Sequence, residues 1–107
     1  MKRGDIVTVA APGNYGKPRP ALVIQSDFFD EHPSVTLCLI TSDLRDAPLF
    51  RLLVQPTAAN GLKKTSQIMV DKILTIPREK VRMIIGTLDT RDLLEVNRAL
   101  SLWIGLA

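Results

Sequence analysis

Apolar residues along this chain fall in short blocks separated by Pro, Gly, Asn and Asp, until the last stretch, where their spacing changes. Short apolar blocks bounded by turn residues read as strands. Residues 6–9 (Ile-Val-Thr-Val) form the first, entered from Gly4-Asp5. Residues 12–18 (Pro-Gly-Asn-Tyr-Gly-Lys-Pro) read as a loop. Residues 21–24 (Ala-Leu-Val-Ile) are an unbroken apolar run, as expected of a strand covered on both faces. Residues 26–32 are polar around Phe28-Phe29, with Ser26 or Asp27 placed to cap one helical turn. A third strand spans 35–40 and ends at Thr41-Ser42; a fourth spans 49–54 between Pro48 and Pro56. Asn60-Gly61 marks a turn, Lys63-Lys64 follows, and a fifth strand over 67–76 stops at Pro77. The sixth spans 81–85 and is closed by Gly86.

After residue 88 the period becomes helical. Leu93, Val96, Leu100, Trp103 and Ile104 share one stripe. Asp89 or Thr90 caps that helix, Asp92 and Glu95 suit its early turns, and Gly105 ends it. The stripe is expected to pack on a sheet or on a second subunit. Five or six short strands and one terminal helix predict a mainly β fold. The expected form is a small, strongly curved antiparallel sheet or partial barrel, in one domain over 1–107.

Composition narrows the class. The chain has 107 residues, 46% hydrophobic and 23% charged, in the range of a globular domain with one core. No apolar run nears the ~18 residues of a membrane span. The basic start, Met1-Lys2-Arg3, passes at once into Gly4-Asp5, so no signal peptide is expected and the protein is placed in the cytoplasm. The lone Cys38 sits in an apolar run and reads as a buried thiol with no disulfide partner. Net charge is +3, but it is segregated. Residues 1–26 carry four bases against Asp5, and 47–88 carry seven against Asp71 and Glu79. Residues 27–46 carry five acids against Arg45. If the two basic segments are neighbours in space, they make one surface for a polyanion.

The available chemistry is limited. One His and one Cys exclude a zinc site of the usual composition, and no acidic motif points to another metal. No phosphate-binding glycine loop or Gly-x-Ser-x-Gly elbow is present, and His32 sits in a polar loop before Pro33. What fits is a reaction needing neither metal nor protein nucleophile. RNA supplies its own nucleophile in the 2′-hydroxyl, so an enzyme need only align the phosphate, stabilise charge and manage two protons. Arg19 stands between Pro18 and Pro20, which bias the backbone towards extended geometry and stiffen a cation at the mouth of a strand.

Residues 16–25 (Gly-Lys-Pro-Arg-Pro-Ala-Leu-Val-Ile-Gln), with 2–7, 39–42, 56–62, 66–73 and 85–89 in order, resemble the MazF/PemK toxin endoribonucleases over nearly the whole chain. The resemblance implies an SH3-like barrel with a C-terminal helix, a twofold homodimer, and metal-free cleavage of single-stranded RNA at short sequences. Products would be a 2′,3′-cyclic phosphate, or its opened form, and a 5′-hydroxyl. It implies that Arg19 meets the scissile phosphate and that Thr41 hydrogen-bonds it. The loop over 12–18 would cover the site, with Asn14 and Tyr15 touching or stacking on a base. Lys17, Ser42 and Gln67 lie in matching blocks and join the expected RNA-binding set. Lys63 and Lys64 are either backbone contacts or solvated surface lysines. One branch of the family has an arginine two residues before its acidic residue, both implicated in catalysis; here the pair is Met69 and Asp71. Asp71 is then either a base, or a contact to a base edge, or a structural carboxylate. The partner implied is an antitoxin with an acidic, flexible C-terminal segment.

Two other readings fit parts of the chain. A gyrase-inhibiting toxin of the CcdB type shares the barrel and acts through a C-terminal tryptophan, for which Trp103 would stand. A non-catalytic RNA-binding module would explain only the basic charge.

Overall fold

The change of period after residue 88 marks a real boundary between sheet and helix. The computed structural model describes residues 1–10 and 17–107. It contains β1 (Asp5–Val9), β2 (Arg19–Val23), β3 (Ser34–Thr41), β4 (Arg51–Val54), β5 (Ser66–Pro77), β6 (Val81–Thr87) and α1 (Thr90–Trp103). All strand pairings are antiparallel, in the order β4-β5-β3-β2-β1-β6.

Alternation along the central strands divides the apolar residues into two clusters. Ile6, Leu22, Cys38, Ile40 and Ile68 lie in one, covered by Val96 and Ala99 of α1. Val7, Val9, Ala21, Val23, Val35 and Leu37 form the other, against Leu74 and Ile76 of β5 and Val81 of β6. Two buried faces explain why residues 21–24 read as continuous rather than alternating hydrophobicity. Burial pushes the Cys38 thiol up to about 12, with Arg3 opposing and Asp71 adding to the shift. The thiol is an inert part of the core.

The helix begins as its sequence predicts. The Asp89 side chain accepts the Asp92 amide at 2.7 Å. Arg3 ties the chain start to the helix, donating from Nε to the Ile24 carbonyl at 2.9 Å and from Nη2 to Asn97 Oδ1 at 2.7 Å. Trp103 packs on Phe50, ring centroids 5.4 Å apart, and is about half exposed.

The sheet is drawn towards closure by a loop. Asn60 is buried; its Oδ1 accepts the Thr57 and Leu62 amides, and its Nδ2 donates to the Gln55 carbonyl. This folded loop seats on the far edge of the sheet, where the Thr87 amide donates to the Ala59 carbonyl at 2.9 Å. Gly86 therefore does not end a strand. It lies inside β6, at a point where a Cβ would collide with the Asn60 backbone.

Other departures are local. β2 starts at Arg19, two residues earlier than the apolar run. Leu49 and Phe50 precede β4, since the Phe50 and Arg51 amides both donate to the Ala47 carbonyl and form a turn. Among the described residues no helix is long and apolar enough to cross a membrane.

Candidate active site

The positioning of Arg19 follows from β-sheet register. Ala21 pairs with Leu39, Leu22 with Cys38 and Val23 with Leu37. The paired residues end at Ala21 and Leu39; by the alternation of each strand, Arg19 and Thr41, two residues further along, fall on the face of Ala21 and Leu39. Arg19 pairs with Val9 of β1, which holds its backbone at the start of β2. Both Arg19 and Thr41 line one cleft of about 750 Å³, within the usual range of small-molecule sites.

The cleft has a cationic and an apolar side. Arg19, Lys63 and Lys64 contribute charge, with Asp43 the single acidic lining residue among those described. The lysines arrive on the chain that leaves the 57–62 loop, so the Asn60-Gly61 turn places them. Met69, Met83, Leu39 and Ile85 supply the apolar wall. The Thr41 hydroxyl oxygen accepts the Asp43 amide at 3.0 Å, which orients the hydroxyl and leaves its O–H to donate. Ser42 is exposed beside it on the same lining. Lys17 is exposed one residue outside the lining segment Pro18-Arg19-Pro20. Asn14 and Tyr15 lie outside the described residues.

Two expected site residues point to other work. Gln67 is buried, and its amide group clamps the turn after β3: Oε1 accepts the Arg45 amide at 2.9 Å and Nε2 donates to the Arg45 carbonyl at 2.7 Å. Each end is engaged with backbone, and Gln67 is absent from the cleft lining. Asp71 is absent from the cleft lining, whereas Met69 is part of it. The Asp71 carboxylate accepts from Arg51 at both oxygens, Nε–Oδ1 2.8 Å and Nη2–Oδ2 2.9 Å. The Arg51 hydrogen bonds hold the Asp71 carboxyl below its usual range. A carboxylate so engaged is a poor proton acceptor.

The sequence reading missed Arg51, Met83 and Ile85. Arg51 carried no motif, and β6 met the cleft only once the 57–62 loop folded against it. Among the described residues, no three His, Cys, Asp or Glu side chains converge as a metal site would require.

Comparison with known proteins agrees with this geometry. The family profile described as "PemK-like, MazF-like toxin of type II toxin-antitoxin system" matches residues 2–104. A probable endoribonuclease MazF of Mycolicibacterium smegmatis is 46% identical over 108 residues, spanning 100% of this chain and 99% of that protein. The structure of the Mycobacterium tuberculosis toxin MazF-mt6 aligns at 25% identity with a TM-score of 0.82, covering 96% of this chain and 98% of the other. The same fold, at 20% identity and TM-score 0.84, occurs in an endoribonuclease in complex with its cognate antitoxin from mycobacterial species, covering 100% and 97%. The chain belongs to the PemK-like, MazF-like family of type II toxin–antitoxin toxins.

Proposed function

We propose that this toxin endoribonuclease cleaves single-stranded RNA in the cleft between β2, β3 and β6, with Arg19 and Thr41 acting on the scissile phosphate. The observation that carries the reading is the convergence of Arg19 and Thr41 from adjacent strands, beside Lys63 and Lys64, on one cleft. A planar guanidinium matches two phosphate oxygens, and a hydroxyl oriented by the Asp43 amide adds a third donor.

The ribose 2′-oxygen attacks phosphorus, its proton is lost, and the P–O5′ bond breaks. The 5′-oxygen takes up a proton and leaves as a hydroxyl, while a 2′,3′-cyclic phosphate forms. Arg19 and Thr41 stabilise the extra charge on phosphorus oxygens as attack proceeds, and proton transfer runs through water in the open cleft. Lys17, Lys63 and Lys64 draw in the backbone, Ser42 adds a polar contact, and bases rest against Met69 and Met83.

Assembly belongs to the same proposal. The helix end leaves Leu102, Trp103, Ile104 and Leu106 about half exposed or more, an apolar area suited to a second copy. In a homodimer that area is covered, which leaves Trp103 no part as a gyrase contact. The cationic side of the cleft suits an acidic, flexible antitoxin segment as well as RNA. The protein would act in the cytoplasm, where RNA and antitoxin are made.

The test is to incubate the purified protein with a long single-stranded RNA in EDTA. Discrete fragments bearing 5′-hydroxyl and cyclic phosphate ends are expected. DNA breakage dependent on gyrase, with RNA left intact, would select the gyrase-inhibitor reading instead.

A further inference from the structure

Asp71 and Arg51 occupy an irregular part of the sheet. β3 pairs with β5 at Cys38↔Ile73 and resumes at Ile40↔Ile68. Leu39 alone therefore stands opposite Met69, Val70, Asp71 and Lys72. This is a bulge far larger than the usual single extra residue. Those four residues have no ladder partner on β3. Only Met69 and Val70 are held from the other side, at the start of β4. Arg51 pairs with Met69 in the β4–β5 register, and the Val70 amide donates to the Phe50 carbonyl at 3.0 Å. Beyond that point the backbone ladder ends, and the Arg51–Asp71 side-chain pair continues the attachment. Both side chains are nearly buried, 12% and 14% exposed. Met69, the register partner of Arg51 and two residues before Asp71, lines the cleft.

We propose that Arg51 and Asp71 are a positioning pair: their bidentate bond fixes the β5 bulge and so sets Met69 as the wall against which an RNA base rests. Asp71 acts through Met69 and takes no proton from the substrate. The proposal rests on the cleft being the RNA site, and it assigns Arg51 a part in substrate binding that its distance from Arg19 in sequence does not disclose. A fork-to-carboxylate pair suits this task because it fixes angle as well as distance.

The experiment compares Asp71→Asn, Arg51→Gln and Met69→Ala with the native toxin in steady-state RNA cleavage. It also includes each of the first two in the Met69→Ala background. Each single change is expected to raise KM on the order of tenfold, about what one lost base contact is worth, with kcat nearly unchanged. In the Met69→Ala background neither pair substitution should raise KM further. An Arg51→Leu/Asp71→Leu double variant, which leaves no charge unpaired but has no fork to fix the bulge, should still show the raised KM. A collapse of kcat in folded Asp71→Asn with KM unaltered would make Asp71 a reacting group and overturn the proposal. Additive effects of Asp71→Asn and Met69→Ala would also overturn it.

A second readout needs no RNA. Native-state hydrogen exchange at residues 69–72 should quicken in Asp71→Asn while the rest of the sheet stays protected. Unchanged exchange there refutes the positioning role even if the cleft proves to be the cleavage site. Failure of the native protein to cut RNA, with faster exchange in the variant, would instead refute the assignment of the cleft alone.

Discussion

Gly61 and Gly86 meet where the 57–62 loop seats on β6, and neither position has room for a Cβ. At Gly61 the added carbon would strike the Ile85 carbonyl, and at Gly86 it would strike the Asn60 backbone. Gly61 also has φ +70°, so a side chain there is strained twice over. This approach ties the loop to β6, and Lys63 and Lys64, which follow it, line the cleft.

Gly86→Ala is therefore expected to lower stability by about 1–3 kcal/mol, the range for forced overpacking, and to depress the thermal midpoint by several degrees. Gly105→Ala is the contrast. Its φ of +81° ends the helix, but nothing lies within 4 Å of the added carbon. That change should cost only about 1 kcal/mol of backbone strain. Thermal unfolding by circular dichroism checks the order of the two.

Thr41→Ala should reduce the single-turnover cleavage rate on the order of 10²-fold, the usual loss when one donor to developing negative charge is removed. Thr41→Ser keeps both the hydroxyl and the bond from the Asp43 amide, and should retain most of the rate. Quenched-flow cleavage of a short RNA separates the two variants.

Lys63 and Lys64 have a distinct signature in salt. If each neutralises one phosphate, Lys63→Ala and Lys64→Ala should each shallow the slope of log affinity against log salt by about 0.7, the single-strand value. Affinity should fall for all RNA sequences alike, since backbone contacts carry no base information. Fluorescence anisotropy at several salt concentrations measures it.

The Arg51–Asp71 pair gives a pH signature. Arg51 lowers the folded-state pKa of Asp71, so the native protein binds that proton less readily than the unfolded chain. The resulting stability is present above the ordinary carboxylate range and is lost as pH falls through the lowered value. Asp71→Asn should flatten the dependence of stability on pH below about 4, where carboxylates titrate. Denaturant unfolding across that range checks it; an unaltered acid slope would mean the pair contributes nothing there.

Much of the fold was legible because local chemistry and tertiary packing agree. The Asp89 cap, the helical stripe through Val96 and Leu100, and the Asn60-Gly61 turn each state their structure within a few residues. The extended backbone at Arg19 was legible for the same reason, since prolines flank it at the mouth of a strand. Residues whose role depends on register were not. Gln67 reads as a strand polar group and becomes a buried clamp only because Arg45 turns back over it. Asp71 looks available until the β5 bulge brings it to Arg51, twenty positions away. Gly86 looks like a stop and is a contact point, which shows only when two distant segments meet.

The central claim is that the Arg19 guanidinium, held at the start of β2 on the cleft that Thr41 also lines, carries the phosphate chemistry. The most direct measurement is the single-turnover cleavage rate of Arg19→Ala and Arg19→Lys, each with thermal unfolding matched to the native protein. The account predicts a loss of at least about 10²-fold in Arg19→Ala and only partial recovery in Arg19→Lys, because a point charge cannot reproduce the planar fork. Native rates in a folded Arg19→Ala protein would contradict it.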